Sequence, residues 1–266
     1  MNIMFLKDFL RYKKYQFLKY KNNSSFPKDI SNSVYLKKLK KYGFVVINNY
    51  FDLETCNKLR KIIDDFIIKK PEMSWKDSFG SDVRIHGAEN ISLNMKELVK
   101  KKIVFTQSIG QEYLNQKIGL YMIMANRITF EQCNLGSGEG WHKDSYSNQF
   151  KSIIYLNDVD EKNGPLQIIK NSNSNLFMLN LFFKLRSKYP STRFSEEDIN
   201  KLLNNKINKI IELTGKAGTL ILFDTSYLHR GKPLINDKRY ALTNYFYPEK
   251  DFLNYKNHFL PILDKI

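Results

Sequence analysis

The sequence predicts a mainly β domain with flanking helices. Apolar and β-branched runs of strand length fill much of residues 118–157 and 207–247, with glycine-containing loops and turns between them. Ahead of these runs, apolar residues recur at helical spacing in several segments. The length of 266 residues fits one domain, or one domain with an appendage, and is enough to bury a sizeable core.

The first 41 residues are predicted to be a basic helical extension, and residues 42–266 to be the domain proper. Residues 1–44 contain eleven lysines and arginines against two aspartates, so +9 of the total net charge of +16 lies there. A helix from Ile3 to Lys21 would place apolar residues on one face (Leu6, Phe9, Leu10 and Phe17) and basic residues on the other (Lys7, Arg11, Lys14 and Lys21).

A basic amphipathic helix of this kind has two interpretations. It lies on an anionic membrane surface, or it packs on the domain with its basic face in solvent. Nucleic-acid binding is a weaker alternative, because no recognised binding module accompanies the charge.

Helices and one strand are predicted before residue 118. The helices are Ser33–Lys41, Leu53–Lys70 with Asp52 as its N-cap, and Lys96–Asn115, and the strand is Phe44–Asn48. Residues 72–94 are predicted to be irregular.

Further strands are predicted at Leu120–Ala125, Ile128–Gln132, Lys151–Asn157, Ile207–Leu213, Thr219–Phe223 and Arg239–Tyr247. They are interrupted by an insertion at about 171–209 with two helical patterns. This insertion is either a lid over the site or scaffold.

His142 and Asp144, which follow the glycine-rich loop 136–140, are the first residues that indicate a metal site. On an extended strand His142 and Asp144 point the same way, because side chains alternate between the two faces. Two histidines and one carboxylate form a facial iron site that leaves three coordination positions open. His229, which follows an apolar strand-like run, is the candidate for the second histidine.

The motifs around these ligands resemble a known family. Trp141-His142-x-Asp144-Ser145, Ile153–Val159 with Asn163–Leu166, and Gly218–Asp224 ahead of His229 and Arg239 resemble the phytanoyl-CoA dioxygenase family of iron and 2-oxoglutarate dependent oxygenases. The resemblance covers about Phe44 to Pro248 and implies a double-stranded β-helix (jelly-roll) core.

By this resemblance His142, Asp144 and His229 would hold Fe(II), and Arg239 would pair with the distal carboxylate of 2-oxoglutarate. The implied reaction consumes dioxygen, hydroxylates a C–H bond and releases succinate and CO2. Arg239 has an alternative role, which is to neutralise a structural carboxylate such as Asp224.

Four further residues are weaker candidates. Asn126 and Tyr155 are proposed to contact the co-substrate, against structural roles for both. Arg84 and His86 are proposed to reach over the barrel mouth from a loop and bind an anionic substrate, against a solvated surface pair.

The substrate is expected to be small or lipid-linked, and anionic. An acidic sugar of lipopolysaccharide, such as 3-deoxy-manno-octulosonic acid, would explain the basic extension. The family's usual Pro-Gly-Ser-His turn is replaced here by Ile168–Asn173, which leaves the substrate open. The alternative function is a non-catalytic basic binding protein on the same fold, for a membrane surface or nucleic acid.

The cysteines and the apolar runs bear on location. Cys56 and Cys133 are expected to be reduced thiols, and no apolar run reaches the roughly 18 residues of a membrane span. The expected location is cytoplasmic, with peripheral membrane contact through the first helix.

Overall fold

The computed structural model describes residues 4–21, 33–132, 134–185, 189–203 and 209–252. Its helices are α1 (Met4–Lys21), α2 (Ser33–Tyr42), α3 (Leu53–Lys69), α4 (Leu93–Leu114), α5 (Asn175–Leu185) and α6 (Glu196–Leu203). Cys133 and His258 lie outside the described residues, as does most of the tail after Asp251. No described helix is long and apolar enough to cross a membrane.

The strands form two antiparallel sheets. They are β1 (Phe44–Ile47), β2 (Trp75–Lys76), β3 (Asp82–His86), β4 (Gly119–Thr129), β5 (Trp141–His142), β6 (Phe150–Tyr155), β7 (Leu166–Ile169), β8 (Arg193–Phe194), β9 (Ile210–Leu213), β10 (Leu220–Asp224), β11 (His229–Gly231) and β12 (Lys238–Tyr247). The larger sheet has the order β1-β10-β6-β12-β4-β3-β2, and the smaller has β8-β5-β11-β7-β9. The predicted mainly β jelly roll with flanking helices is confirmed.

Helices cover the larger sheet on one side. Apolar residues of α2, α3 and α4 join those of the sheet in one buried cluster, which includes Leu39, Leu59, Ile63, Met95 and Ile109. Asp52 caps α3 as predicted, since its side chain accepts a hydrogen bond from the amide of Thr55 at 2.6 Å. The other side of the sheet is left to face the smaller sheet.

The pairing register arranges the inward residues of the larger sheet in rows. Because side chains alternate along each strand, residues that pair across strands share a row. One row contains Arg84, Asn126, Ala241 and Tyr155, and the next contains His86, Met124, Thr243 and Ile153. A further row pairs Tyr245 with Lys151.

Two sequence predictions about strands were wrong. Residues 72–94, expected to be irregular, contain β2 and β3. The run 120–125 and the first two residues of the run 128–132 belong to the single strand β4, which ends at Thr129. In β3 the alternation is inverted, because Arg84 and His86 face the interior while Val83 and Ile85 join the cluster beneath the helices. A strand that turns charged residues inward does not have the usual amphipathic pattern.

The face of α1 that packs also differs from the predicted apolar face. Tyr12 is 1% exposed, and its ring lies 5.9 Å from that of Tyr146 and 6.2 Å from that of Phe182. Leu6, Leu10 and Phe17 remain 46%, 58% and 65% exposed, although Phe9 packs partly on the same cluster as Tyr12. The helix therefore docks through tyrosine and leaves most of its predicted apolar face in solvent.

Candidate active site

The predicted triad comes together between the two sheets. The candidate ligand atoms of His142, Asp144 and His229 all lie within 4.8 Å of one another. His142 pairs with His229 across β5 and β11, and Asp144 follows two residues after His142, just beyond the end of the short strand β5. Its carboxylate oxygens lie 3.7 Å from Nε2 of His142 and 3.9 Å from Nε2 of His229.

Each histidine is oriented by a hydrogen bond to the backbone carbonyl two residues before it. Nδ1 of His142 donates to the carbonyl of Gly140 at 2.8 Å, and Nδ1 of His229 donates to the carbonyl of Tyr227 at 2.9 Å. A hydrogen bond from Nδ1 fixes the tautomer and leaves Nε2 unprotonated. Both Nε2 atoms can therefore donate to a metal ion.

Burial keeps the two histidines neutral. It lowers the pKa of His229 to about 3, with the neighbouring His142 as the second cause, and it lowers the pKa of His142 as well. Neutral histidines and an ionised carboxylate form a donor set that fits Fe(II).

A buried lysine that was not predicted from the sequence, Lys151, stabilises the negative charge of Asp144. Burial alone would raise the pKa of Asp144, but the ammonium of Lys151 is the largest of the effects that oppose burial, and the pKa stays well below its ordinary value. Nζ of Lys151 lies 2.6 Å from Oδ2 of Asp144 and 4.1 Å from the ring centroid of Tyr245. The sequence did contain an indication, because Lys151 lies four residues before Tyr155 on the same predicted strand. Both side chains should therefore point to the same face, and Tyr155 was expected to turn inward.

Arg239 is buried on the large sheet, at 5% exposure. Its Nη1 donates to the carbonyl of Gly164, and its Nε has no hydrogen-bond partner among the described residues. Asp224 does not pair with it, because that carboxylate accepts from the hydroxyl of Tyr113 at 2.6 Å and from the amides of Gln149 and Ser226. Asp224 is therefore not the carboxylate that Arg239 neutralises.

The guanidinium of Arg239 lies beside the metal-ligand strand. A Cβ atom on Gly231 would be 3.1 Å from Nη1 of Arg239. Gly231 is two residues along β11 from His229, a separation of roughly 7 Å on an extended strand. The guanidinium of Arg239 and the triad therefore line the same cavity, close together along β11.

The two weaker co-substrate candidates line the same cavity. Asn126 is 2% exposed, and its Oδ1 has no hydrogen-bond partner among the described residues. The hydroxyl of Tyr155 donates to the carbonyl of Leu213 at 2.8 Å and accepts from the amide of Leu166 at 2.9 Å. Asn126 thus has an acceptor available, whereas Tyr155 presents its ring.

Arg84 and His86 also line the cavity, but from β3 rather than from a loop. The guanidinium of Arg84 bonds to Asp82 through Nε at 3.0 Å and Nη2 at 2.5 Å, and it lies 4.6 Å from the ring of Trp75. Much of its charge is therefore engaged within the protein.

The cavity has a volume of about 960 Å³, and residues far apart in the sequence form its walls. Tyr15 of α1 lies 6.5 Å, ring to ring, from Tyr189, which in turn lies 5.0 Å from Tyr146. Arg193 stands nearby, and its Nη1 donates to the carbonyl of Gly138 at 2.6 Å. The first helix and the insertion, for which no site residue was predicted, both contribute to the cavity.

A second layer of buried polar groups supports the ligand loops. Nζ of Lys143 donates to the carbonyls of Ser172 (at 2.8 Å) and Ser226, and burial lowers the pKa of this lysine to about 7. Asp224 binds the amides of Gln149 and Ser226, one on each of the loops that lead from Asp144 and toward His229. These contacts hold the two ligand segments together.

Solved structures of other proteins share this fold. The epimerase SnoN, in complex with Fe3+, alpha ketoglutarate and nogalamycin RO, is 11% identical with a TM-score of 0.59, over 81% of this chain and 83% of that one. HygX from Streptomyces hygroscopicus, with nickel and 2-oxoglutarate bound, is 15% identical with a TM-score of 0.59, over 81% and 87%. EctD from S. alaskensis, with bound Fe, is 16% identical with a TM-score of 0.62, over 84% and 80%.

No curated protein matches the chain by sequence. The family model for phytanoyl-CoA dioxygenase (PhyH) matches residues 39–241, which is more than half of the chain and includes the triad and Arg239. Helix α1 lies outside the matched residues. The chain therefore belongs to the phytanoyl-CoA dioxygenase family, whose members are oxygenases.

Proposed function

We propose that this protein is an Fe(II)- and 2-oxoglutarate-dependent dioxygenase that hydroxylates a C–H bond of an anionic substrate. One oxygen atom of dioxygen would enter the substrate and the other would enter succinate, with loss of CO2. The observation that carries this proposal is the convergence of His142, Asp144 and His229 beside a buried arginine, Arg239. An inert binding protein would have no need to keep these four residues together.

Each residue has a role derived from its contacts. The two Nε2 atoms and the carboxylate of Asp144 would hold Fe(II), which supplies the activation of dioxygen and the oxidative decarboxylation of 2-oxoglutarate. Arg239 would bind the far carboxylate of 2-oxoglutarate, because a buried guanidinium with an unpartnered Nε favours an anion. Asn126 is proposed to accept a hydrogen bond in the same cavity, and the ring of Tyr155 is proposed to bound the co-substrate.

The charges and rings of the cavity support an anionic substrate that carries a ring. Arg193 brings positive charge to the walls, and Arg84 adds a guanidinium whose charge Asp82 partly neutralises. Tyr15, Tyr146 and Tyr189 offer aromatic faces. His86 remains a candidate for substrate contact from β3. An acidic sugar of lipopolysaccharide, such as 3-deoxy-manno-octulosonic acid, stays our first candidate within this class.

The outward face of α1 supports contact with an anionic membrane. Leu6, Leu10 and Phe17 are exposed, and they stand beside exposed basic residues, Lys7, Arg11 and Lys14. An exposed apolar stripe flanked by cations is typical of helices that lie at a lipid surface. A peripheral location would bring the cavity close to a lipid-linked substrate.

The catalytic proposal is tested by anaerobic reconstitution with Fe(II) and 2-oxoglutarate, followed by the weak visible charge-transfer band of the chelate. We expect the band in the wild type, its loss in Asp144→Ala and its weakening in Arg239→Ala. Arg127→Ala is the matched control, because that guanidinium pairs with Asp64 at 2.9 Å and does not line the cavity. Folded, iron-loaded wild type without a band would overturn the proposal.

Membrane contact is tested by co-sedimentation with phosphatidylcholine vesicles, with and without phosphatidylglycerol. We expect binding to the anionic vesicles only, and its loss when Leu6, Leu10 and Phe17 are all replaced by serine. Ile68→Ser combined with Leu93→Ser is the control, because these side chains are 74% and 79% exposed and belong to α3 and α4 rather than α1. Equal sedimentation of the triple variant and wild type would exclude this helix as the contact.

A further inference from the structure

We propose that Lys151 is a positioning residue of the metal centre, whose ammonium holds one carboxylate oxygen of Asp144 so that Asp144 offers only the other to the ion. This inference rests on the proposed function, since it assumes that the triad binds a divalent cation. The contact between Lys151 and Asp144 would determine how many coordination positions of the ion are left for the co-substrate and dioxygen.

Lys151 is fixed from two directions. Its Nζ is 2.6 Å from Oδ2 of Asp144, and the side chain is 10% exposed. On the other side the ring of Tyr245, which pairs with Lys151 across β12 and β6, lies 4.1 Å from the ammonium. A cation held between a carboxylate and an aromatic face has little freedom to leave.

The position of the ammonium distinguishes the two oxygens of Asp144. Oδ1 is 3.7 Å from Nε2 of His142, and Oδ2 is 3.9 Å from Nε2 of His229, so either oxygen is within reach of an ion between the histidines. Lys151 contacts Oδ2 as an ion pair without an aligned hydrogen bond. Its positive charge disfavours a cation at that oxygen, so Oδ1 is left as the preferred ligand atom. If both oxygens bound the ion, one of the three open positions of a facial triad would be lost.

The charge of Lys151 acts in the same direction. An ammonium paired with the second oxygen of the ligand carboxylate repels the divalent cation and attracts the dianion of 2-oxoglutarate. Lys151 therefore weakens binding of the metal and strengthens binding of the dicarboxylate.

A merely structural lysine would behave differently. Lys143 illustrates such a role, because its buried ammonium bonds to backbone carbonyls and not to a ligand. Loss of a structural lysine loosens the loops and weakens the binding of metal and co-substrate together. The role proposed for Lys151 predicts changes of opposite sign.

The experiment is a titration with Co(II) followed by its visible ligand-field bands, and then a titration of the Co(II)-saturated protein with 2-oxoglutarate. In Lys151→Met we expect Co(II) to bind about tenfold more tightly and 2-oxoglutarate about tenfold more weakly. Lys151→Arg, which keeps the charge, should restore both affinities toward wild type. Lys216→Met is the control, since this lysine is 83% exposed and pairs with Asp158 on the surface.

The outcomes separate the two proposals. Wild-type protein that binds no Co(II) would refute the metal site itself, whereas Co(II) binding with unchanged or jointly weakened affinities in Lys151→Met would refute only the role of Lys151. If Lys151→Met does not fold, Tyr245→Leu is tested instead, because it removes the aromatic face beside the ammonium. We expect it to strengthen Co(II) binding and weaken 2-oxoglutarate binding, each by a smaller factor than in Lys151→Met. No shift in that variant would count against the proposal.

Discussion

The guanidinium of Arg239 lies so close to Gly231 that a methyl group there would stand 3.1 Å from its Nη1. The same methyl group would be 2.7 Å from Cβ of Ser137, so the space is closed on two sides. Gly231→Ala is expected to displace the guanidinium and weaken 2-oxoglutarate binding about tenfold, while Co(II) affinity stays within about twofold. Titration of both ligands measures the two effects.

The control for this change is Gly119→Ala. Its added methyl group would meet the flexible side chain of Glu249 and the ring of Phe252, at 3.0–3.3 Å. Neither residue lines the cavity. Equal effects of the two substitutions on 2-oxoglutarate would contradict a specific role for the space beside Gly231.

Gly138 packs directly under the first histidine ligand. A Cβ atom at Gly138 would lie 2.3 Å from Cε1 of His142, so Gly138→Ala must move the imidazole. We expect Co(II) affinity to fall by about 10- to 100-fold. Gly80→Ala separates contact from backbone strain, because Gly138 and Gly80 both have positive φ, +87° and +69°, but nothing lies within 4 Å of a Cβ at Gly80, which does not line the cavity. Similar losses in both variants would mean that strain alone is responsible.

The buried tyrosine of α1 should contribute strongly to stability. Tyr12 is 1% exposed within an aromatic cluster, so Tyr12→Ala is expected to lower the free energy of unfolding by about 3 kcal/mol. Phe17→Ala, at a side chain that is 65% exposed, should change it by less than about 0.5 kcal/mol. Urea unfolding of the two variants measures the difference, and equal effects would contradict the docking of α1 through Tyr12.

The lowered pKa of His229 gives stability a definite pH dependence. The imidazole is neutral in the folded protein down to about pH 3, whereas in the unfolded chain it takes up a proton near 6.5. The unfolded state therefore binds more protons between these values, and stability falls as pH decreases from about 6.5, by at most about 1.4 kcal/mol per pH unit for this group.

The measurement is urea unfolding of EDTA-treated protein between pH 7 and pH 5. In this window carboxylates contribute little, because their unfolded pKa values are lower. His229→Gln should show a smaller loss of stability toward pH 5 than the wild type. An unchanged slope would mean that His229 is not held neutral by burial.

The sequence predicted the helices and the ligands well because their signals are local. A capping aspartate, helical spacing, and the His-x-Asp motif lie within a few neighbouring residues, and α3, α4 and the triad are found where they were expected. β3 was missed because its charged residues face an internal cavity, so its alternation resembles that of a loop.

The packing of α1 and the role of Lys151 could not be read from the sequence for a different reason. Tyr12 is buried because of partners more than a hundred residues away, Tyr146 and Phe182. The contact between Lys151 and Asp144 joins a strand of the larger sheet to the loop that follows β5 of the smaller sheet. Contacts of this kind follow from the tertiary structure and leave no periodic pattern in the sequence.

The candidate active site is divided between the two sheets. The histidines belong to the smaller sheet, whereas Arg239 and Lys151 belong to the larger one. Neither sheet alone can bind both the metal and the co-substrate. A partial separation of the two sheets would therefore abolish catalysis before either sheet unfolds. Loss of turnover on heating would then be an early and sensitive reporter of how firmly the two halves of the barrel are held together.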